Sequence, residues 1–386
     1  MKVVMVEVGG HGGLYAYTDA LCCGFSGTSV DITVLSNPLW PDLPRPFKVE
    51  RCLYEIETPK KQWSKLQWVA DRVWKNYQNC AIRNRFAVRA NPDVVHLQGA
   101  AVPSIDQFLL KRLSKRLPVL LTVHDVKPHY ERFNTRRSFL RRFFHIPDRL
   151  IVHHDEGRRL LVEDWGLCAS RIDVIPHGIM PFLNRVPPRS EARKKLELPP
   201  DRQIILFFGA IRENKGLDIL LKALERVKLR KPEALLVVAG TPCRGVGFDK
   251  FTEIIEQANL SDNVRTFIRF IEDNDVDLFF AASDLVVLPY LSFESQSGVL
   301  LRAYGHQLPV VVTNVGAMGE LVSNDKVGIV VQPGNIEEMA GAIVKALSDL
   351  AKFRSNYTIE LSEKYSWERI AGLTMNSYEK ALRNRL

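Results

Sequence analysis

No stretch of this chain is long and uncharged enough to cross a bilayer as a helix, which takes roughly 18 to 20 apolar residues. The best window, VDLFFAASDLVVLPYLSF, carries two aspartates. The N-terminus, MKVVMVEVGG, lacks a small-residue cleavage site and its apolar run is broken by Glu7, so it reads as a first buried strand and not as an export signal. Cysteine is scarce: Cys22, Cys23, Cys52, Cys80, Cys168 and Cys243 are scattered without C-x-x-C spacing. That argues against a disulfide framework and predicts reduced thiols in a cytoplasmic protein. No aspartate pair or His/Cys cluster stands at ligand spacing, so neither a metal nor another cofactor is expected. Low-complexity segments and short-period repeats are absent as well.

What is present is the composition of a soluble globular protein, 46% hydrophobic and 25% charged over 386 residues, a length that fits two domains. The first half alternates apolar runs (KVVMVEV, VDITVLS, DVVHLQG, PVLLTVHD, RLIVHH, IDVIPHG) with helix-like stretches. The second half repeats the scheme with QIILFFGAI, EALLVVAG, NVRTFIRF, DLVVLPY, PVVVTNV and GIVV. Short β-branched runs spaced by a helix's worth of residues indicate βαβ units, hence an α/β protein of two doubly wound parallel-sheet domains. Pro181, Pro187, Pro188, Pro199 and Pro200 interrupt the pattern, which puts a hinge near residues 178–195. The expected units are residues 1–180 and 181–365, with an amphipathic closing helix over 366–386.

The net charge of +9 is unevenly placed. Lys60, Lys61, Lys65, Arg72, Lys75, Arg83, Arg85 and Arg89 are interleaved with Trp63, Trp68 and Trp74 against one acid, Asp71. A second cluster sets Arg136, Arg137, Arg141 and Arg142 beside Phe139, Leu140, Phe143 and Phe144. Two readings fit: an anionic membrane surface, with cations at headgroups and rings at the interface, or solvated helix faces whose aromatics pack inward. Nucleic acid is not an expected partner, since no reader motif accompanies the charge.

In open parallel sheets, ligands sit beyond the carboxyl ends of strands. Three loops stand there. Gly9, Gly10, Gly12 and Gly13 follow the first strand and let a backbone approach a ligand closely, although the spacing is not the dinucleotide G-x-G-x-x-G. In FFGAIRENKGLDILLKAL, Arg212 and Lys215 follow a strand and aim two cations at its end, a pattern suited to a diphosphate. FESQSGVLLRAYG places Ser297, Gly298 and Val299 where a helix begins, with unpaired N–H groups and a positive dipole end for an anion. It also places a carboxylate, Glu294, before the loop and a cation, Arg302, in the helix.

Taken in order, GGHGGLYAYTDAL, DVVHLQG, TVHD, RIDVIPHGI, FFGAIRENKGLDILLKAL, LLVVAG, SDLVVLPY and ESQSGVLLRAYGHQLPVVVTNVGAMGELV resemble the retaining glycosyltransferases of family 4. The resemblance implies the GT-B fold, two Rossmann-like domains facing a cleft, with a nucleotide-sugar donor on the C-terminal domain and a hydroxyl acceptor, lipid-linked or a polysaccharide precursor, on the N-terminal one. It implies that Arg212 and Lys215 meet the diphosphate, that the amides at 297–299 cradle it, and that Gly12 and Gly13 line the donor. His124 of TVHD then stands beside the donor sugar and Glu294 meets sugar hydroxyls. Family members commonly carry a second glutamate where this chain has Arg302. A guanidinium only donates and cannot accept from a ribose diol, so Arg302 marks a departure on the ribose side. SQSGV resembles a subset in which the glutamate pair is incomplete.

The resemblance implies sugar transfer with retention and without a metal, at the cytoplasmic side, with peripheral membrane contact as an expectation from the basic stretches. A non-catalytic sugar-nucleotide-binding protein, or another GT-B enzyme such as a sugar-nucleotide epimerase or a phosphorylase, are the competing readings.

Overall fold

The computed structural model describes residues 1–56, 63–99, 102–126, 134–182, 185–243, 245–293 and 296–385, with side chains from 137 onward in the segment that begins at 134. The chain divides into two units: Met1–Gly178 with Tyr365–Leu386, and Ile179–Lys364.

In the first unit seven parallel strands form one sheet: β1 (Lys2–Val6), β2 (Asp31–Ser36), β3 (Lys48–Arg51), β4 (Val94–Leu97), β5 (Val119–Thr122), β6 (Arg149–Val152) and β7 (Ile172–Val174), in the order β3-β2-β1-β4-β5-β6-β7. The order reverses between β1 and β4, where Val6 lies beside Leu97. That reversal opens the crevice in which ligands of doubly wound sheets sit. Six of these strands come from the apolar runs of the sequence; β3, KVER, does not. It is an edge strand paired only with β2 and largely exposed, so nothing selects an apolar run there.

The tail belongs to this unit. The helix Trp367–Arg383 is capped by Ser366 and buries Ile370, Ala371, Thr374, Ser377, Tyr378 and Ala381, one face at helical spacing. It packs on the helix Gly12–Gly24, with Tyr378 beside Phe25. The Tyr378 hydroxyl lies 2.8 Å from His96 Nδ1, and Ser377 and Lys380 donate to Asp173 at 2.7 and 2.8 Å. Gly178 has to be glycine, because a Cβ there would run into the Trp367 indole.

The second unit holds β8 (Ile204–Phe208), β9 (Leu235–Ala239), β10 (Val264–Phe267), β11 (Leu285–Leu288), β12 (Val310–Thr313) and β13 (Gly328–Val331), parallel in the order β10-β9-β8-β11-β12-β13. Each comes from an apolar run read in the sequence. The order reverses between β8 and β11. The helix Leu217–Arg230 seats Leu217, Leu220, Leu221, Leu224 and Val227 in the core, where full burial of such a side chain contributes roughly 1.5–3 kcal/mol. Among the described residues, no helix is long and apolar enough to cross a membrane.

Candidate functional site

The reversal between β8 and β11 brings the loop after β8 against the loop after β11. Ile211 N donates to Thr241 O at 2.9 Å and Cys243 N to Ile211 O at 2.9 Å, which ties the first loop to the end of β9. On its other side Leu291 N donates to Asn214 O at 2.8 Å and Asn214 Nδ2 to Ser292 O at 3.0 Å. Gly216 turns the chain with φ +66°, and a Cβ there would collide with the Pro289 carbonyl. The sequence therefore needs glycine at that point to press the cation loop onto the end of β11.

Lys215 is held over two rings, its Nζ 3.5 Å from the Tyr290 centroid and 4.5 Å from that of Phe293. Burial first, and the nearby Arg212 second, lower its pKa from the ordinary lysine value to about 7. Arg212 is exposed, with Nε 3.2 Å from Cys243 Sγ. Neither cation has a carboxylate partner among the described residues, so both face the loop edge uncompensated.

Opposite them the helix Gly298–Gly305 begins. Ser297 caps it by accepting from Leu300 N at 3.3 Å, which leaves the Gly298 and Val299 N–H groups without intrahelical acceptors. A Cβ on Gly298 would meet open space. Two buried polar atoms in this neighbourhood, Tyr290 Oη and Gln296 Nε2, have no hydrogen-bond partner among the described residues. Burial pushes the Tyr290 pKa to about 12, against the lowering effect of nearby Ser297. Two cations, two free amides and two orphaned polar atoms at one switch point are a cradle for a polar, anionic ligand. Glu294 lies outside the described residues.

Arg302 is buried and turned toward another helix of the same unit. Its Nη1 donates to Asp277 Oδ1 at 2.7 Å and to Pro181 O at 3.3 Å, and His306 Nε2 lies 3.0 Å from the same Asp277 oxygen.

In the first unit, the glycine loop after β1 sits on a buried carboxylate. Glu7 accepts from Gly9 N and Gly10 N, each at 2.7 Å, and from Ser36 Oγ at 3.2 Å. Those two amides are committed. The backbone of the loop that stays open is therefore at Gly12 and Gly13, where a Cβ would meet nothing within 4 Å and the helix has no side-chain cap.

His124, His153 and His177 all stand just past strand ends, after β5, β6 and β7. The three rings surround Tyr17, with centroids 4.8, 5.1 and 4.8 Å away. Burial lowers the pKa of His124 to about 3 and of His177 to about 4, and holds His153 well below the ordinary value. The sequence singled out only His124. The signal for the other two was their position directly after a strand, in VHH and IPHG. Among the described residues no cluster of three His, Cys, Asp or Glu side chains is arranged to hold a metal ion.

The two basic stretches differ. Lys60 and Lys61 lie outside the described residues, but Lys65–Ala90 is one helix on which Leu66, Val69, Val73, Trp74 and Tyr77 are exposed at helical spacing. Arg83 turns inward and pairs with Asp106. In the second stretch Phe143 and Phe144 are core residues, so their aromatics take the inward reading, while Arg141 and Arg142 stay exposed.

Two doubly wound parallel units, each with ligand-ready loops at the switch point, define the GT-B class of glycosyltransferase architecture. The chain matches the family described as Glycosyltransferase Family 4 over residues 11–181 and that described as Glycosyl transferases group 1 over residues 188–360, and it belongs to glycosyltransferase family 4. A D-inositol 3-phosphate glycosyltransferase of Rhodococcus jostii is 32% identical over 245 residues, 61% of this chain and 53% of that protein. An uncharacterized glycosyltransferase of Methanocaldococcus jannaschii is 30% identical over 55% of each. The chain spans about half the length of the curated relatives it matches. Among solved structures, a glycosyltransferase of Rickettsia africae superposes with TM-score 0.76 over 99% of both chains at 18% identity. Anabaena HepE in complex with UDP superposes with TM-score 0.73 at 18% identity, over 98% of this chain and all of that one.

Proposed function

We propose that the protein transfers a sugar from a nucleoside-diphosphate sugar to a hydroxyl acceptor with retained anomeric configuration. The observation that carries this reading is the cradle after β8 and β11, where Arg212 and Lys215 have no carboxylate partner among the described residues and stand near the Gly298 and Val299 amides, which have no intrahelical acceptors. Departure of a diphosphate develops negative charge on its oxygens, and fixed cations and N–H dipoles stabilise that charge without a metal. With no protein nucleophile assigned, attack proceeds on the same face as departure, and the leaving phosphate takes the acceptor's proton. Glu294 and His124 take the sugar hydroxyls, and Gly12 and Gly13 let the backbone approach the donor. Arg302, paired with Asp277, supports the helix instead of binding the ribose.

A thermal-shift screen against UDP, GDP and ADP tests the cradle, because a ligand of the native state raises the melting temperature. UDP comes first, as the nucleotide held by Anabaena HepE. Absence of any shift with all three would remove the diphosphate reading and leave a different GT-B activity. The acceptors to assay are a lipid-linked hydroxyl and, from the name of the Rhodococcus relative, a phosphorylated polyol. The exposed stripe Leu66, Val69, Val73, Trp74 and Tyr77, flanked by Lys65 and Arg72, supports peripheral docking on anionic lipid. Co-sedimentation with anionic vesicles that weakens with salt, and is lost in Trp74→Glu, is the expected result; binding indifferent to salt and lipid charge would contradict it.

A further inference from the structure

His124 does not stand alone. His153 Nδ1 lies 3.0 Å from the Ile175 carbonyl, and His153 Nε2 lies 3.1 Å from His124 Nδ1. A carbonyl oxygen only accepts, so His153 carries its proton on Nδ1. In a neutral ring its Nε2 is then a lone pair, and that lone pair requires a proton on His124 Nδ1. The chain of bonds ends at His124 Nε2, a bare acceptor out of contact with solvent and without a partner among the described residues. Both rings are kept neutral by burial. The titratable groups around them are imidazoles, His96 and His177 near His124 and His124, His154 and His177 near His153, together with the Tyr17 phenol packed against both and the exposed Asp125 next to His124 in the chain.

We propose that His153 is a positioning residue that locks His124 in the Nδ1–H tautomer, so that its Nε2 lone pair is reserved for a hydroxyl of the sugar substrate. A buried acceptor without a partner is unfavourable until a donor reaches it, which makes the orphaned nitrogen a specific place for an O–H group. Because Nε2 is shielded, the hydroxyl displaces packed neighbours as it enters. The tautomer lock stands on the two hydrogen-bond distances and on the burial that keeps both rings neutral; the sugar hydroxyl as its target rests on the donor reading of His124 given above.

The test uses the full chain labelled with 15N-histidine, in wild type and in His153→Gln and His153→Leu. Glutamine keeps an acceptor for His124 and a donor for Ile175, whereas leucine keeps neither. Imidazole 15N shifts are expected to show His124 as Nδ1–H in wild type and in H153Q, and as the Nε2–H form or a mixture in H153L. Hydrolysis of UDP-glucose is expected to fall about tenfold or more in H153L and to recover in H153Q, with UDP affinity unchanged in both. An Nε2–H His124 in the wild-type protein, readable even if H153L fails to fold, overturns the lock, as does an unaltered tautomer in H153L. A shifted tautomer with unaltered hydrolysis keeps the lock and overturns the placement of the sugar beside His124.

Discussion

The carboxyl edges of the two sheets use opposite chemistry. After β8 and β11 the edge is cationic: Arg212 and Lys215 stand beside free helix amides, with no carboxylate among the described residues to quench them. After β1, β5, β6 and β7 the edge presents glycine backbone and buried neutral imidazoles, with Asp125 and Asp155 exposed beside them, and its buried carboxylate, Glu7, is turned beneath the loop toward the Gly9 and Gly10 amides. Similar scaffolds thus carry a charge-stabilising edge and a hydrogen-bonding edge. A diphosphate is matched by the first, and the second offers neutral acceptors and backbone to hydroxyls, which on the proposed reading it shares with Glu294.

The contrast is tested most severely by Arg302, the cation that lies in the second unit yet belongs to neither edge. Its guanidinium and His306 both serve Asp277, so Arg302→Leu takes the guanidinium away from a buried carboxylate. A loss of about 3–5 kcal/mol of stability is expected in urea unfolding, with UDP affinity in the folded fraction unchanged. Weakened UDP binding without a stability loss would return Arg302 to the ligand edge.

A smaller effect is expected at Glu7. Glutamine offers one acceptor oxygen where the carboxylate offers two, so Glu7→Gln leaves one of the two glycine amides unsatisfied and destabilises by about 1–3 kcal/mol. The substrate KM should rise while affinity for free UDP stays constant. A parallel loss of UDP affinity would show that the two edges are not chemically separate.

A third effect is a pH dependence. Lys215 is held at about 7 in the folded protein, far below the unperturbed lysine value. Between roughly pH 7 and 10 the unfolded chain therefore binds more protons at this site than the folded one, and stability contributed by the site rises with pH across that window. Lys215→Met should flatten that rise in a melting-temperature profile. Bound diphosphate favours the charged amine, so UDP binding near pH 8 should take up a proton, visible as a dependence of the calorimetric heat on buffer ionisation. Heats independent of buffer would place the ammonium already charged before binding.

Much of this was legible in the sequence, and what was missed has a physical reason. Strands such as LLVVA and LVVL are buried on both faces, so their composition announces them, whereas β3 is a half-wet edge with no such constraint. The position of Arg212 and Lys215 at the carboxyl end of a strand was readable because FFGAIRENKG runs from an apolar strand straight into a charged loop. The part played by Arg302 was not readable, because its partner Asp277 lies 25 residues upstream on another helix, a proximity only packing creates. His153 was hidden similarly: its importance depends on a ring-to-ring distance across two strand ends, 29 residues apart in the chain.

The central claim is that the cation loop after β8 binds the diphosphate of the donor. Calorimetric titration of UDP into wild type, Arg212→Ala, Lys215→Ala and His124→Ala tests it directly. The two loop variants should each lose about tenfold or more in affinity, the scale of a charge-assisted contact of ~1.5–3 kcal/mol, while His124→Ala should bind UDP as wild type does. Wild-type affinity in both loop variants, or an equal loss in His124→Ala, would contradict the account.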